Sequence, residues 1–314
     1  MDGVGADFGE PVFGVEGIGF GAVEDSVPVA AFFGMEVPGN FVGGFPVAVA
    51  EMIVNRMHPP NNISDMPQKT ALVLSAGGMF GAYQAGAYSV IREEMEIDAV
   101  AGASVGALNG WPIASGCTPE HLCERWMDPN SGKVLSLFPN AGVWNGWFDP
   151  TPLQEIAEEL FANYKPRIPF GLVVTEVPTF RTRVVREAEM VASHLRATCS
   201  IPYFLPSVKI AGRRYLDGGL FDKLPVRAAL EMGATRLIAI DSLPDVMPAW
   251  VRAGINFSHM FRTKQRLPAG VTMTTIAPSE NLGTANDAVF WTEANVRRWI
   301  ALGKKDAAAA LKAV

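Results

Sequence analysis

The sequence predicts an α/β protein whose mostly parallel central sheet is covered by helices on both faces. Three observations carry this. Apolar runs of strand length recur between residues 70 and 276, stretches of helical period separate them, and a chain of 314 residues that is 49% apolar can bury a sizeable core. Strands that alternate with helices pair in parallel, because each crossover returns the chain to the same end of the sheet and covers a face.

The first 65 residues stand apart. They hold nine acids and one base, Arg56, for a net charge of −8, and 11 of the 31 glycines; the remainder carries +2. Their Gly, Val, Phe and Pro sustain neither a period of 2 nor one of 3.6. Residues 1–65 are therefore expected to be an extended or poorly ordered acidic extension ending in a linker at His58-Pro59-Pro60-Asn61-Asn62, with 66–314 as the folded domain. The alternatives are a Gly-rich β arm and a leader outside the native coding sequence, with Met66 as the working start.

From Thr70 the pattern is regular. Residues 70–75 (TALVLS) read as a strand meeting a glycine cluster, and Tyr83, Ala87, Val90 and Ile91 follow at helical spacing. Residues 98–102 (DAVAG) are a second strand, and 171–176, 235–241 and 271–276 are three more. Helical stretches fall at 119–127, 153–162, 190–198 and 224–232, a hairpin at 208–216 turns on Ala211-Gly212, and the Pro-free run 290–311 suits a closing helix.

Composition removes several classes of function. The net charge of −6 argues against nucleic-acid binding. Cys117, Cys123 and Cys199 are odd in number and form no C-x-x-C pair, which excludes a disulfide framework, argues against a thiolate metal site and fits a reducing compartment. No apolar stretch is long enough for a membrane span, and the acidic start is no secretory signal, so a cytoplasmic location is expected.

Three clusters carry chemistry. Ala76-Gly77-Gly78-Met79-Phe80-Gly81 lies between a strand and a helix, where glycines let backbone N–H groups point into a cavity; it suits a phosphate, a dinucleotide, an oxyanion or simply a tight turn. Gly102-Ala103-Ser104-Val105-Gly106 is a G-x-S-x-G at a strand-to-helix junction, the context of a nucleophile elbow; its plain alternative is a serine cap between packing glycines. Leu216-Asp217-Gly218-Gly219 ends the hairpin, and alone it reads as an Asx turn.

A serine nucleophile needs a base, and no histidine is a convincing one. His58 lies in the linker, His121 on a solvated helix face, and His194 on a helix where exposed or half-packed positions are expected. Only His259 follows in the order Ser, Asp, His, in a polar loop with nothing to mark it. A desolvated carboxylate takes the serine proton directly, because desolvation raises its proton affinity. Asp217 fills that part, with the glycine loop holding the oxyanion.

Taken together, AGGMFG, GASVG and DGG resemble the three signatures of patatin-like phospholipases. The segments ATCSIP (197–202) and GRRYLDGGLFDKLP (212–225) are similar to the family's flanks of the aspartate. The resemblance covers about residues 69–314. It implies a three-layer α/β sandwich, a Ser104–Asp217 dyad, oxyanion amides from Gly77, Gly78, Met79 and Gly81, and supporting glycines at 102, 106, 218 and 219. Two positions depart from the family pattern, Ala76 for its first glycine and Phe80 for its Arg or Lys. The cation's loss bears on phosphate recognition and leaves the backbone amides intact. Phe80 is free to widen the apolar lining for an acyl chain.

The expected activity is hydrolysis of the carboxylic esters of lipids through an acyl-enzyme, with no cofactor and no metal. The alternatives are an α/β-hydrolase-type triad of Ser104, His259 and Asp217 or Asp241, and a non-catalytic nucleotide- or phosphate-binding module. The expected partner is a lipid or ester substrate and no nucleic acid. The aromatic run Val143, Trp144, Trp147 and Phe148 reads either as loop residues capping the core or as a transient contact with a membrane surface.

Overall fold

The computed structural model describes residues 68–130, 137–142, 146–243 and 267–312, together with a short antiparallel pair of strands, Phe41–Val42 and Phe45–Pro46. The chain divides into two compact units, Met1–Asp65 and Met66–Val314. Apart from that pair of strands, the N-terminal extension lies outside the described residues.

The second unit runs β1 (Thr70–Leu74), α1 (Gly81–Glu94), β2 (Ala99–Ala103), α2 (Val105–Ala114), α3 (Pro119–Met127), α4 (Thr151–Asn163), β3 (Phe170–Val177), β4 (Arg181–Arg186), α5 (Ala192–Ala197), β5 (Val208–Ile210), β6 (Arg213–Asp217), α6 (Val226–Glu231), β7 (Arg236–Ile240), β8 (Thr272–Ile276) and α7 (Glu293–Leu311). A small antiparallel pair, Leu137–Gly142 with Gly146–Phe148, lies between α3 and α4.

The main sheet is ordered β8-β7-β1-β2-β3-β6-β5, with β4 paired to β3. The first five strands of that order are parallel, while β6 and β4 run antiparallel to β3. The expected mostly parallel sheet between helical layers is the fold observed. Strand period explains the layers: in β1, Leu72 and Leu74 face a large core shared with α1, α2, α3 and α7, whereas Ala71 and Val73 face a smaller core under α6. Small residues on that second face let α6 sit close, through Ala228 and Ala229. In the large core, Phe80 and Trp299 meet edge to face at 5.1 Å, an arrangement worth about 1 kcal/mol beyond their burial.

Local chemistry sets the helix starts. Thr118 accepts the His121 amide with Pro119 at the first position of α3, and Thr292 accepts the Asn295 amide at the start of α7. The hairpin between β5 and β6 turns on Ala211 and Gly212, both at positive φ (47° and 82°). Strand β4 departs from the pattern of apolar runs, because RTRVVR is an edge strand with mostly polar, partly exposed side chains.

Candidate active site

Strand β2 is fully buried and runs straight into Ser104, whose φ of 53° and ψ of −128° form a strained elbow before α2 begins at Val105. Glycine at 106 is a packing requirement. A Cβ there would stand 2.4 Å from the Leu74 carbonyl oxygen, and one on Gly102 would stand 2.4 Å from the Gly106 carbonyl. Backbone contact between β1, β2 and α2 thus fixes the turn that lifts the serine off the sheet. The positive end of α2 lies at Ser104.

The sheet itself carries Asp217 to the serine. Strand β2 pairs with residues 170–173 of β3 and β6 pairs with residues 174–177, so the two strands share one edge of β3 and abut end to end. Ala103 lies opposite Val173 and Asp217 opposite Val174. The first residue past β2 therefore faces the last residue of β6. The Ser104 hydroxyl donates to Asp217 Oδ2 at 2.8 Å, and Asp217 Oδ1 accepts the Gly219 amide at 2.6 Å. Gly218 is the tight point of the return, since a Cβ there would lie 2.1 Å from the Val173 carbonyl oxygen. Ser104 and Asp217 are buried, at 6% and 2% exposure. Burial pushes the Asp217 carboxyl up to about 7, against the opposing pull of the Ser104 hydroxyl and the Gly219 and Leu220 amides.

Thr198 closes the gap where β2 leaves β3. Its hydroxyl donates to the Val173 carbonyl at 2.7 Å and accepts the Ser104 amide at 3.0 Å. The Thr175 hydroxyl donates to the Asp217 carbonyl, and the Asp217 amide donates to the Ser200 carbonyl. Thr198→Val keeps the shape but orphans the Ser104 N–H and the Val173 carbonyl, which costs about 2–4 kcal/mol. A drop in kcat with little change in KM, restored by Thr198→Ser, is the expected result in ester assays.

The glycine loop folds as a 3-10 turn, Gly78–Phe80, capped by Gly81. Its amides are not equivalent. Met79 donates to the Ala288 carbonyl at 2.9 Å, and Gly81 to the carbonyls of Gly78 and Met79. The Met79 and Gly81 N–H groups, expected as oxyanion donors, are thus engaged within the fold. Among the described residues, the Gly77 and Gly78 amides donate to no other group. A buried polar network sits behind the loop. Gln84 donates to the Ser75 carbonyl at 2.7 Å and the Ser242 hydroxyl at 3.0 Å, and accepts from Asn109, which also reaches the Gly81 carbonyl and holds the Trp126 indole. Phe80 packs on Trp299 and faces the smaller of two cavities beside Ser104.

Those cavities meet at Ser104, Gly78, Ile201, Ala288 and Val289. The larger, about 360 Å³, is walled by Val105, Leu108, Leu153, Ile156, Leu160 and Leu205, and reaches the Arg125–Glu159 ion pair. The smaller, about 170 Å³, lies over Asp217, Gly219, Leu220 and the glycine loop. Cys199 borders the larger one. Burial and the Asp217 carboxylate push its thiol well up, which leaves it a poor rival nucleophile.

Other residues fall elsewhere. His121 is exposed and meets the Tyr164 hydroxyl at 3.0 Å. His194 departs from expectation: it is buried, its Nδ1 accepts the Val191 amide, and burial pulls its imidazole down. Asp241 pairs with Lys223 at 2.9 Å. His259, Val143, Trp144 and the Trp147 side chain lie outside the described residues, while Phe148 is buried and stacks on Phe204 at 5.6 Å. Among the described residues there is no cluster of His, Cys, Asp and Glu suited to a metal ion. No helix among them is long and apolar enough to cross a membrane.

Fold and site together define an α/β protein that presents a serine hydroxyl, bonded directly to a buried aspartate, beside a glycine loop and an apolar cavity. The family model for Patatin, described as patatin-like phospholipase, matches residues 72–230, and the chain belongs to that family. It is 24% identical over 200 residues to patatin-like phospholipase domain-containing protein 7 of Rattus norvegicus, covering 58% of this chain and 15% of that protein. It is 24% identical over 192 residues to lysophospholipase NTE1 of Scheffersomyces stipitis, covering 55% of this chain and 12% of that one. The chain thus spans about 15% or less of the length of these two relatives. Among solved structures, VipD from Legionella pneumophila aligns with a TM-score of 0.46 at 12% identity, over 79% of this chain and 67% of that chain.

Proposed function

We propose that residues 66–314 form a serine acyl hydrolase domain that cleaves the carboxylic esters of lipids. The observation that carries this is the 2.8 Å bond from the Ser104 hydroxyl to Asp217 at the mouth of a 360 Å³ apolar cavity. Asp217 takes the serine proton as Oγ attacks the ester carbonyl, and the Gly77 and Gly78 amides hold the oxyanion. The proton passes from Asp217 to the departing alcohol, leaving an acyl-serine. Asp217 then takes a proton from water, which attacks the acyl group, and returns that proton to the Ser104 oxygen as the acid departs. Family membership and relatives named as a phospholipase and a lysophospholipase support a lipid ester. The larger cavity suits the acyl chain and the smaller one the alcohol side.

Direct contact between Ser104 and Asp217 leaves no room for an imidazole between them, which favours the dyad over the triad with His259. A fluorophosphonate probe is expected to label Ser104, and His259→Ala is expected to keep its turnover of p-nitrophenyl esters. A large loss of rate in His259→Ala would transfer the base to that histidine. A lipid panel with mass-spectrometric detection of products identifies the ester.

A further inference from the structure

Residues 176–214 carry seven bases against three acids, a net of +4, while all of residues 66–314 carry only +2. The rest of that domain is therefore slightly acidic, and its positive charge is concentrated on one stretch. The stretch builds β4 and β5 and holds the end of β3 and the start of β6, in the part of the sheet that continues beyond Ser104. Its three acids are already engaged: Glu176 with Arg213 at 3.0 Å, Glu189 with Arg183 at 2.5 Å, and Glu187 with Arg186 at 3.3 Å. Arg181, Lys209 and Arg214 make no ion pair among the described residues. The register sets Lys209 directly opposite Arg214, and both are exposed. Like charges so placed repel, and the fold keeps them there.

Apolar side chains share this lip. Phe180 and Tyr203 are 52% and 59% exposed, and both have positive φ (51° and 68°), a region costly for bulky residues. Each therefore combines a strained backbone with an aromatic ring standing in water. Phe180 adjoins Arg181. Tyr203 sits between Ile201 and Phe204, which line the larger cavity and are themselves 38% and 39% exposed. The Arg214 guanidinium donates to the Ser207 hydroxyl at 3.2 Å, tying that loop to the cationic strands. The cationic strands thus meet the rim of the cavity through the 201–207 loop, with Lys209 and Arg214 on one face of the sheet and Arg181 on the other.

We propose that this lip is a docking surface for an anionic lipid bilayer. The bases meet lipid phosphates, while Phe180 and Tyr203 enter the interface, where amphipathic and aromatic rings are favoured. Docked so, the larger cavity opens toward the acyl layer. That orientation rests on the hydrolase reading, whereas the docking itself does not.

The test uses the full chain carrying Ser104→Ala, so that vesicles are not consumed, in flotation with phosphatidylcholine vesicles with and without phosphatidylglycerol. Binding to the anionic vesicles is expected to be stronger and to weaken as salt is raised. Adding R181E, K209E and R214E is expected to cut that binding by about 100-fold or more. F180S with Y203S is expected to lower it on both kinds of vesicle. Placed in the active chain, each set is expected to leave turnover of a soluble short-chain p-nitrophenyl ester unchanged, which also reports folding. Equal binding to neutral and anionic vesicles, or undiminished binding by the charge-reversed chain, overturns the proposal. Capture of polyglutamate without vesicle binding overturns it in favour of an acidic polypeptide. If the active chain fails to cleave esters but Ser104→Ala docks as described, the hydrolase reading falls and the docking surface stands.

Discussion

Asp217→Asn is expected to lower ester turnover by about 1,000-fold or more, because the amide cannot take the Ser104 proton, and Ser104→Ala is expected to lose at least as much. The same Asn substitution is expected to make the folded chain more stable. The carboxyl has an ordinary value of 3.8, and burial moves it to about 7 in the folded state. Between those two values the folded chain holds a proton that the unfolded chain has released. Stability contributed by this group therefore falls as pH rises from about 4 to about 7, and the penalty is complete above 7, with a ceiling of about 4 kcal/mol. Asparagine lifts that penalty while its oxygen still accepts the Gly219 amide and its NH₂ faces the Ser104 oxygen. Urea titrations at pH 8 are expected to show Asp217→Asn more stable by on the order of 2 kcal/mol, and the gap is expected to close toward pH 4.

Catalysis runs in the opposite direction with pH. Only the ionised carboxylate takes the proton, so kcat/KM is expected to rise through about pH 7 and level off above it. A pH profile that is flat across this range, or a destabilised Asp217→Asn, would show that the buried carboxyl is not held in this state.

Most of the sheet is legible in the sequence because parallel strands buried on both faces are continuous apolar runs; TALVL and RLIAI are examples. Strand β4 is not, since an edge strand carries arginines. Ser104 is legible through its glycine neighbours. Asp217 emerges as a candidate base only by elimination of the histidines, and the geometry that brings it to Ser104, two strands sharing an edge of β3, is a property of topology that local pattern does not carry. Thr198 is invisible for a related reason. Its two hydrogen-bond partners lie 25 and 94 residues away along the chain, so nothing beside it marks its part. Gln84 and Asn109 carry a faint signal as lone amides among small and apolar helical neighbours. His194 misleads, because it is buried and its ring lies beside Tyr215, 6.2 Å away between ring centres, a neighbour distant in the chain. The amides of the glycine loop are likewise indistinguishable in sequence, and only Ala288, brought up from a distant segment, shows that Met79 is already engaged.

That distinction makes Gly78 the sharpest probe of the oxyanion site. Its φ of 56° lies where a side chain is disfavoured, and a Cβ would stand 2.2 Å from the Ala288 carbonyl oxygen. This carbonyl also accepts the Met79 amide, so it cannot withdraw without loosening the turn. In Gly78→Ala the peptide between residues 77 and 78 must rotate instead, which would displace the amide proposed to hold the oxyanion. The expected result is a fall in kcat of about 100- to 1,000-fold, the usual effect of losing one oxyanion donor, with KM changed far less because the apolar side chains that wall the larger cavity are kept. A trifluoromethyl ketone, which forms an oxyanion on the serine, is expected to lose affinity in the same proportion. Met79→Ala provides the contrast, since it keeps the backbone amide and its bond to Ala288, and its kcat is expected to stay near that of the parent. Wild-type kcat together with wild-type ketone affinity in Gly78→Ala would remove the glycine loop from the mechanism and leave the positive end of α2 as the remaining group positioned to stabilise the oxyanion.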